Sequence, residues 1–186
     1  MVSIVSLWLP ILLSAVAVFI ISSIIHMFLG YHNTDFKKVP SEDKAMDEIG
    51  KLNIPPGDYM MPYSTSSKER NSQEFKDKMN KGPIAVITMF PTGQMSMGSN
   101  LLQWFLYCVI VGILAAYITG RAVPPGADYL SVFRFAGCTA FVGYSLALMQ
   151  NSIWYKKNWT ATIKSMFDGL IYSLFTAGIF GWLWPA

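Results

Sequence analysis

Long apolar runs and one long polar stretch set the coarse pattern of this chain. Apolar positions dominate residues 4–30, 101–119, 129–149 and 160–184. Each run is close to or above the ~20 residues that a helix needs to cross a bilayer. A polar stretch, residues 31–99, separates the first run from the other three. The pattern predicts an all-α integral membrane protein of four transmembrane helices, with an insertion between the first and second. The first run is too long for the apolar core of a secretion signal and lacks a basic start, so it is expected to be retained as a helix.

Local signals inside the insertion predict a small α+β unit. Ser41 follows Pro40, Glu42 and Asp43 suit a first turn, and Gly50 marks a stop, which together predict a helix over residues 41–49. Pro55-Pro56-Gly57 forces a turn, after which residues 59–63 read as extended. Residues 67–80 are charged and lack Gly and Pro, so they predict one exposed helix ending at Gly82. Residues 84–90 are rich in Ile, Val and Thr between Gly82-Pro83 and Pro91-Thr92-Gly93, and predict a buried strand.

Charge sharpens this picture. Nine of the 14 Lys and Arg and nine of the 11 Asp and Glu lie between Asp35 and Lys81, leaving the apolar runs almost uncharged. A balanced insertion offers no basic patch, which argues against nucleic acid as a partner. Lys37, Lys38, Lys78, Lys81, Lys156 and Lys157 fall on one side of the four runs, and Arg121 on the other. By the positive-inside rule the insertion is expected in the cytoplasm and both termini outside, as in a protein of the bacterial inner membrane.

Small residues recur every four positions in the last three runs: Gly112, Ala116 and Gly120; Thr139, Gly143 and Ala147; and Gly169, Ser173, Ala177 and Gly181. Such stripes let helix backbones approach closely, which is a main source of helix association in lipid. The expected contacts are between these helices, with other membrane subunits, or with copies of the chain. Leu170 and Phe180 fall off the last stripe by the helical period.

Polar groups within the runs are few, and each is expensive, an intramembrane charge costing ~2.5–3.5 kcal/mol even on insertion scales. Lys164 and Asp168 stand four apart, so an intrahelical ion pair is expected. His26 lies at the same depth and has three readings: a hydrogen bond to a neighbouring helix, a proton relay with Asp168, or a haem ligand completed by a second chain. Arg134 is expected to snorkel to the outer interface, where it can meet an anion or lipid headgroup. Met60-Met61 and Met95-Ser96-Met97 suit adaptable packing better than Cu(I), because no Cys or His adjoins them.

Cys108 and Cys138 both lie in apolar runs, so neither a disulfide framework nor a zinc ligand set is expected. No phosphate-binding Gly-rich loop, Ser-His-Asp set, metal-ligand spacing or catalytic carboxylate pair is present in the sequence, and no cofactor is implied apart from the haem option at His26. The leading expectation is a non-enzymatic membrane subunit, accessory or scaffold, within a larger or self-associating complex. The alternative is a small proton- or cation-coupled transporter or channel using His26 and Asp168, and a third reading is a haem or quinone redox subunit. The predicted topology is directly testable. Reporter fusions at Met1 and Ala186 should both give non-cytoplasmic signals, and a Ser72→Cys thiol should be labelled from the cytoplasmic side alone; the reverse pattern inverts the orientation.

Overall fold

The computed structural model describes residues 1–93 and 96–186, and it is 68% helical. The chain divides into two compact units, one comprising Met1–Phe36 with Ser96–Ala186 and the other Lys37–Met95.

The first unit is a ring of four long helices: α1 (Trp8–Phe28), α5 (Met97–Ala122), α6 (Tyr129–Tyr144) and α8 (Trp159–Trp182). Each packs on two neighbours, in the order α1, α5, α6, α8 and back to α1. Neighbours run antiparallel. Val2 N–H donates to Gly120 O at 2.9 Å, which ties the start of the chain to the end of α5, and Gly126 N–H donates to Pro185 O at 2.9 Å, which ties the end of the chain to the α5–α6 loop. Trp184 Nε1–H adds a bond to Pro124 O at 2.9 Å. After α6 the chain passes through a 3₁₀ turn (Leu146–Leu148) and a short helix, α7 (Met149–Tyr155), before α8.

Among the described residues, three helical segments are long and apolar enough to cross a membrane: Val5–Phe28, Met97–Ala122 and Tyr129–Tyr155. The fourth helix, α8, has the length at 24 residues, but it carries Lys164 and Asp168 and does not qualify by composition. Side chains are distributed as a lipid-facing bundle requires. Large apolar groups such as Leu12, Ile20, Ile113, Ile118 and Leu174 point outward, whereas the interior is dominated by small ones, including Ala15, Ala115, Ala116, Ala136, Ala140 and Ala177. With hydrocarbon outside, burying Leu between helices gains little, so close backbone packing sets the interior.

The small-residue stripes meet partners within this chain. Gly112 and Gly120 of α5 face α1 and its approach: a methyl at Gly112 would sit 3.3 Å from Ile11 O, and one at Gly120 only 2.7 Å from Val2 O. Ala116 is fully buried between them. Gly169, Ser173 and Ala177 lie buried on α8, against α6. A methyl at Gly169 would overlap Ser145 Oγ, and one at Gly181 would reach 2.7 Å from the Tyr129 ring. The stripe on α6 behaves differently. Gly143 faces Val111 of α5, but Ala147 falls in the 3₁₀ turn after α6 and is exposed, so it does not extend the helical stripe. The α6 face that meets α8 is instead Val132, Ala136, Gly137 and Ala140, with Gly137 close to the Ala177 methyl. Phe180, off the α8 stripe, is fully buried with Leu7, Ile11 and Val132, because the helix ring closes on both flanks of that stripe.

The second unit contains α2 (Glu42–Gly50), β1 (Gly57–Met61), α3 (Ser67–Arg70), α4 (Gln73–Lys81) and β2 (Ala85–Met89). Ser41 takes a left-handed conformation, φ 52°, and does not cap α2. The single charged helix expected over residues 67–80 is broken into α3 and α4, since Ser72 leaves the helical conformation and its Oγ accepts from Phe75 N–H as a new N-cap. The strands pair antiparallel, from Gly57 opposite Met89 to Met61 opposite Ala85, with Thr88 Oγ1–H bonded to Asp58 across them at 2.7 Å. The strand β2 is not buried: it alternates half-buried and exposed positions, as an edge-to-edge pair with nothing stacked on both faces must. Met95 of the Met-Ser-Met motif lies outside the described residues.

The tight α6–α8 seam predicts a graded response to added methyl groups. Gly169→Ala and Gly181→Ala should each lower stability in detergent by ~1–3 kcal/mol through overpacking. Gly178→Ala, whose methyl would meet only Tyr129 OH at 3.5 Å, should leave thermal unfolding unchanged or slightly improved. Equal tolerance at all three positions would contradict this packing.

Candidate functional site

Polar side chains gather at the end of the bundle where α1 stops and α8 begins. The backbone turn after α1 makes this possible. Gly30 sits at φ 65°, a left-handed value that glycine adopts without penalty, and the chain continues into a 3₁₀ turn, Tyr31–Thr34. Asn33 N–H to Gly30 O at 3.1 Å and Asp35 N–H to His32 O at 2.9 Å close the turn, so Tyr31, His32 and Asp35 are held over the first turns of α8.

The carboxylate of Asp168 is buried, its side chain only 3% exposed. It accepts from Tyr31 OH on one oxygen and meets His32 Nε2 at 2.7 Å on the other. The opposite ring nitrogen, His32 Nδ1, lies 2.6 Å from Asp35 Oδ2. Lys164 Nζ completes the chain, donating to Asp35 Oδ1 at 3.0 Å, Thr34 Oγ1 at 2.8 Å and the Tyr31 carbonyl at 2.6 Å. A neutral imidazole carries one N–H, so His32 can bond both carboxylates only as the imidazolium or with a proton on one carboxyl. In the first case Lys164 and His32 balance Asp35 and Asp168.

Partial burial raises the Asp35 carboxyl, but the bonds from His32 and Lys164 outweigh it and hold the group below the usual carboxylate range. His26, near the end of α1, stacks on this assembly with its ring centroid 4.6 Å from that of His32. Its imidazole makes no hydrogen bond among the described residues. Nitrogens of His26 and His32 and an oxygen of Asp168 all lie within 4.8 Å of one another, a grouping of metal-ligand types that the sequence spacing does not reveal.

The ion pair expected between Lys164 and Asp168 is therefore replaced by two separate pairings. Lys164 reaches Asp35, and Asp168 turns to Tyr31 and His32, because the 3₁₀ turn delivers better-placed partners than the same helix can. Tyr31, His32 and Asp35 are the functional residues missed by reading the apolar runs alone. The available signal was the run Tyr31-His32-Asn33-Thr34-Asp35 directly after a span, at the depth where a buried Asp168 needs donors.

Two further features adjoin the cluster. Trp104, Tyr107, Tyr144 and Tyr172 form an aromatic group, in which Trp104 Nε1–H donates to Ser22 Oγ at 2.8 Å. Tyr172, one helical turn beyond Asp168, has a buried hydroxyl with no partner among the described residues. On the other side a cavity of about 390 Å³ opens beside Asp35, lined by Asn151, Lys157, Asn158, Thr162 and Ser165 among others. Asn158 here is the N-cap of α8, its side chain accepting from Thr160 N–H at 2.9 Å. Arg134 lies apart, exposed on α6, and does not join the cluster.

These pairings predict a specific coupling pattern. In double-mutant cycles followed by thermal unfolding, Lys164→Ala with Asp35→Ala should show an interaction energy of ~0.5–3 kcal/mol, larger than that for Lys164→Ala with Asp168→Ala. A larger coupling in the second cycle would restore the intrahelical pair.

No known protein family, curated protein or solved structure matches this chain.

Proposed function

We propose that the chain is a non-enzymatic integral membrane protein of four spans that handles a cation, as a small transporter or channel, through the His26, His32 and Asp168 cluster. In this reading both termini lie outside and residues 31–99 face the cytoplasm of a bacterial inner membrane. The observation that supports it is the convergence of two imidazoles and two carboxylates, Asp168 among them buried, at one end of a bundle whose interior is otherwise small and apolar. An intramembrane carboxylate is costly, and such groups mark ion pathways by default. The fourth span gains support from the same cluster, since capture of Lys164 and Asp168 by the turn after α1 reduces the cost of placing α8 in lipid.

The accessory-subunit reading is the second one, favoured by a different observation. The Lys37–Met95 unit exposes Met46, Leu52, Met60 and Val86, apolar groups available to another membrane subunit. Self-association through the small-residue stripes of α5 and α8 is less favoured, because those two stripes are occupied within the chain. A redox subunit with two histidine haem ligands is not favoured either: stacked at 4.6 Å, the His26 and His32 rings cannot bind opposite faces of a haem.

Flux measurement separates the first two readings. Proteoliposomes of the purified chain should show uptake of protons, an alkali cation or a divalent cation. That uptake should fall at least tenfold in Asp168→Asn and survive in Arg134→Ala. Absence of any cation flux, together with co-purifying membrane partners in native mass spectrometry, would replace transport by the accessory role.

A further inference from the structure

We propose that His26, His32 and Asp168 form a binding site for a divalent transition-metal ion of the zinc type, with Asp35 and Tyr31 orienting its ligands from behind. The inference rests on the cation reading above and names the cation's chemical class. Two imidazole nitrogens with one carboxylate oxygen are a donor set suited to Zn²⁺, Co²⁺ or Fe²⁺, whereas Mg²⁺ and Ca²⁺ prefer sites made of oxygen alone. Three protein ligands leave a further position for water.

The three side chains must shift to take up an ion, His26 moving inward. The three donor atoms lie within 4.8 Å of one another, and two metal bonds of ~2.1 Å place their donors at most ~4.2 Å apart. His32 Nε2 and Asp168 Oδ2, now 2.7 Å apart across a shared proton, would part by roughly 0.7 Å to admit an ion in a tetrahedral setting. Metal binding displaces that proton, leaving His32 neutral with its remaining N–H on Nδ1.

The surroundings are those a histidine ligand needs. With Nδ1 facing Asp35 Oδ2 at 2.6 Å, His32 is fixed in the tautomer that turns Nε2 toward the site. Lys164 holds the other oxygen of Asp35, and Tyr31 OH occupies the other oxygen of Asp168, so each carboxylate presents one oxygen inward. His26 supplies the decisive observation. A polar staple joining the α1 turn to α8 uses Tyr31, His32, Asp35, Lys164 and Asp168 but leaves the His26 nitrogens without a hydrogen bond among the described residues, its ring only packing on His32, whereas a metal site gives it a bond. Exposure rises from buried Asp168 through half-buried His32 to exposed His26, which leaves an approach for the ion.

The test uses the full chain, untagged, in detergent after treatment with a chelator. Titrated Co²⁺ should give the visible ligand-field bands of a low-symmetry nitrogen and oxygen site at one ion per chain, and Zn²⁺ should quench them by competition. His26→Ala should weaken binding at least tenfold while leaving metal-free thermal unfolding within error of the parent, since its ring makes no hydrogen bond. Asp35→Asn should weaken binding ~10–100-fold, as loss of a group that orients a histidine ligand does. Unchanged affinity in His26→Ala, or no saturable Co²⁺ or Zn²⁺ binding by the parent, overturns the site. Cation flux persisting in a chain that binds neither metal would defeat this inference alone, whereas metal binding without flux would uphold it and defeat transport.

Discussion

Taking the Asp168 carboxylate out of water costs several kcal/mol unless donors meet it, and much of this structure follows from how that cost is met. α8 places Asp168 in the interior, where its own helix gives the carboxylate no bond: Lys164 turns to Asp35, and the Tyr172 hydroxyl stays unpartnered among the described residues. The polypeptide after α1 must therefore fold back rather than leave the bundle directly. Gly30 permits the reversal, Tyr31 and His32 supply the donors, and Asp35 and Lys164 balance the charge that His32 brings. No member of this set is satisfied alone. Removing either carboxylate leaves an imidazole or an ammonium without its counter-charge, which is why the group behaves as one unit.

Elsewhere the bundle is held by shape. Its interior combines alanines and glycines with a few ring systems, and its large aliphatic groups are turned outward. In water this arrangement would expose too much apolar area to be stable as a monomer, whereas in hydrocarbon the outer face costs nothing and the contact between backbones decides the fold. The polar cluster and the small-residue seams thus divide the work along the bundle axis: shape at one end, where Gly181 meets Tyr129, and charge at the other.

The four long helices were legible because their apolar runs are long and their punctuation by Gly and Pro is clear. Helix packing on α5 and α8 was legible too, since a spacing of four keeps small residues on one face. Ala147 broke the rule because the helix itself ends at Tyr144, and periodicity carries no information past a helix end. The burial of Phe180 was not legible for a related reason: a helix in a closed ring has neighbours on two flanks, so a residue off one seam lands on another. The Lys164 and Asp168 pairing failed because sequence proximity is a weak guide where tertiary partners compete. His32 and Asp168 are 136 residues apart, and nothing in one sequence announces that they touch.

The ring closes between the first helix and the last, and this sets an order on biogenesis. α1 has finished its own synthesis well before α8 emerges, with 136 residues separating His32 from the carboxylate it will bond. At ~5–20 residues per second, translation leaves that histidine with Asp35 alone for roughly 7–27 s. During the interval α1 has only α5 beside it, and the turn at Gly30 has no α8 to rest on. The final helix also carries more charged side chains than any of the other three, and Lys164 and Asp168 have only each other until the turn after α1 takes them. Its partners Tyr31, His32 and Asp35 were made long before it, which makes the earliest-made segment of this protein a template for the docking of the latest.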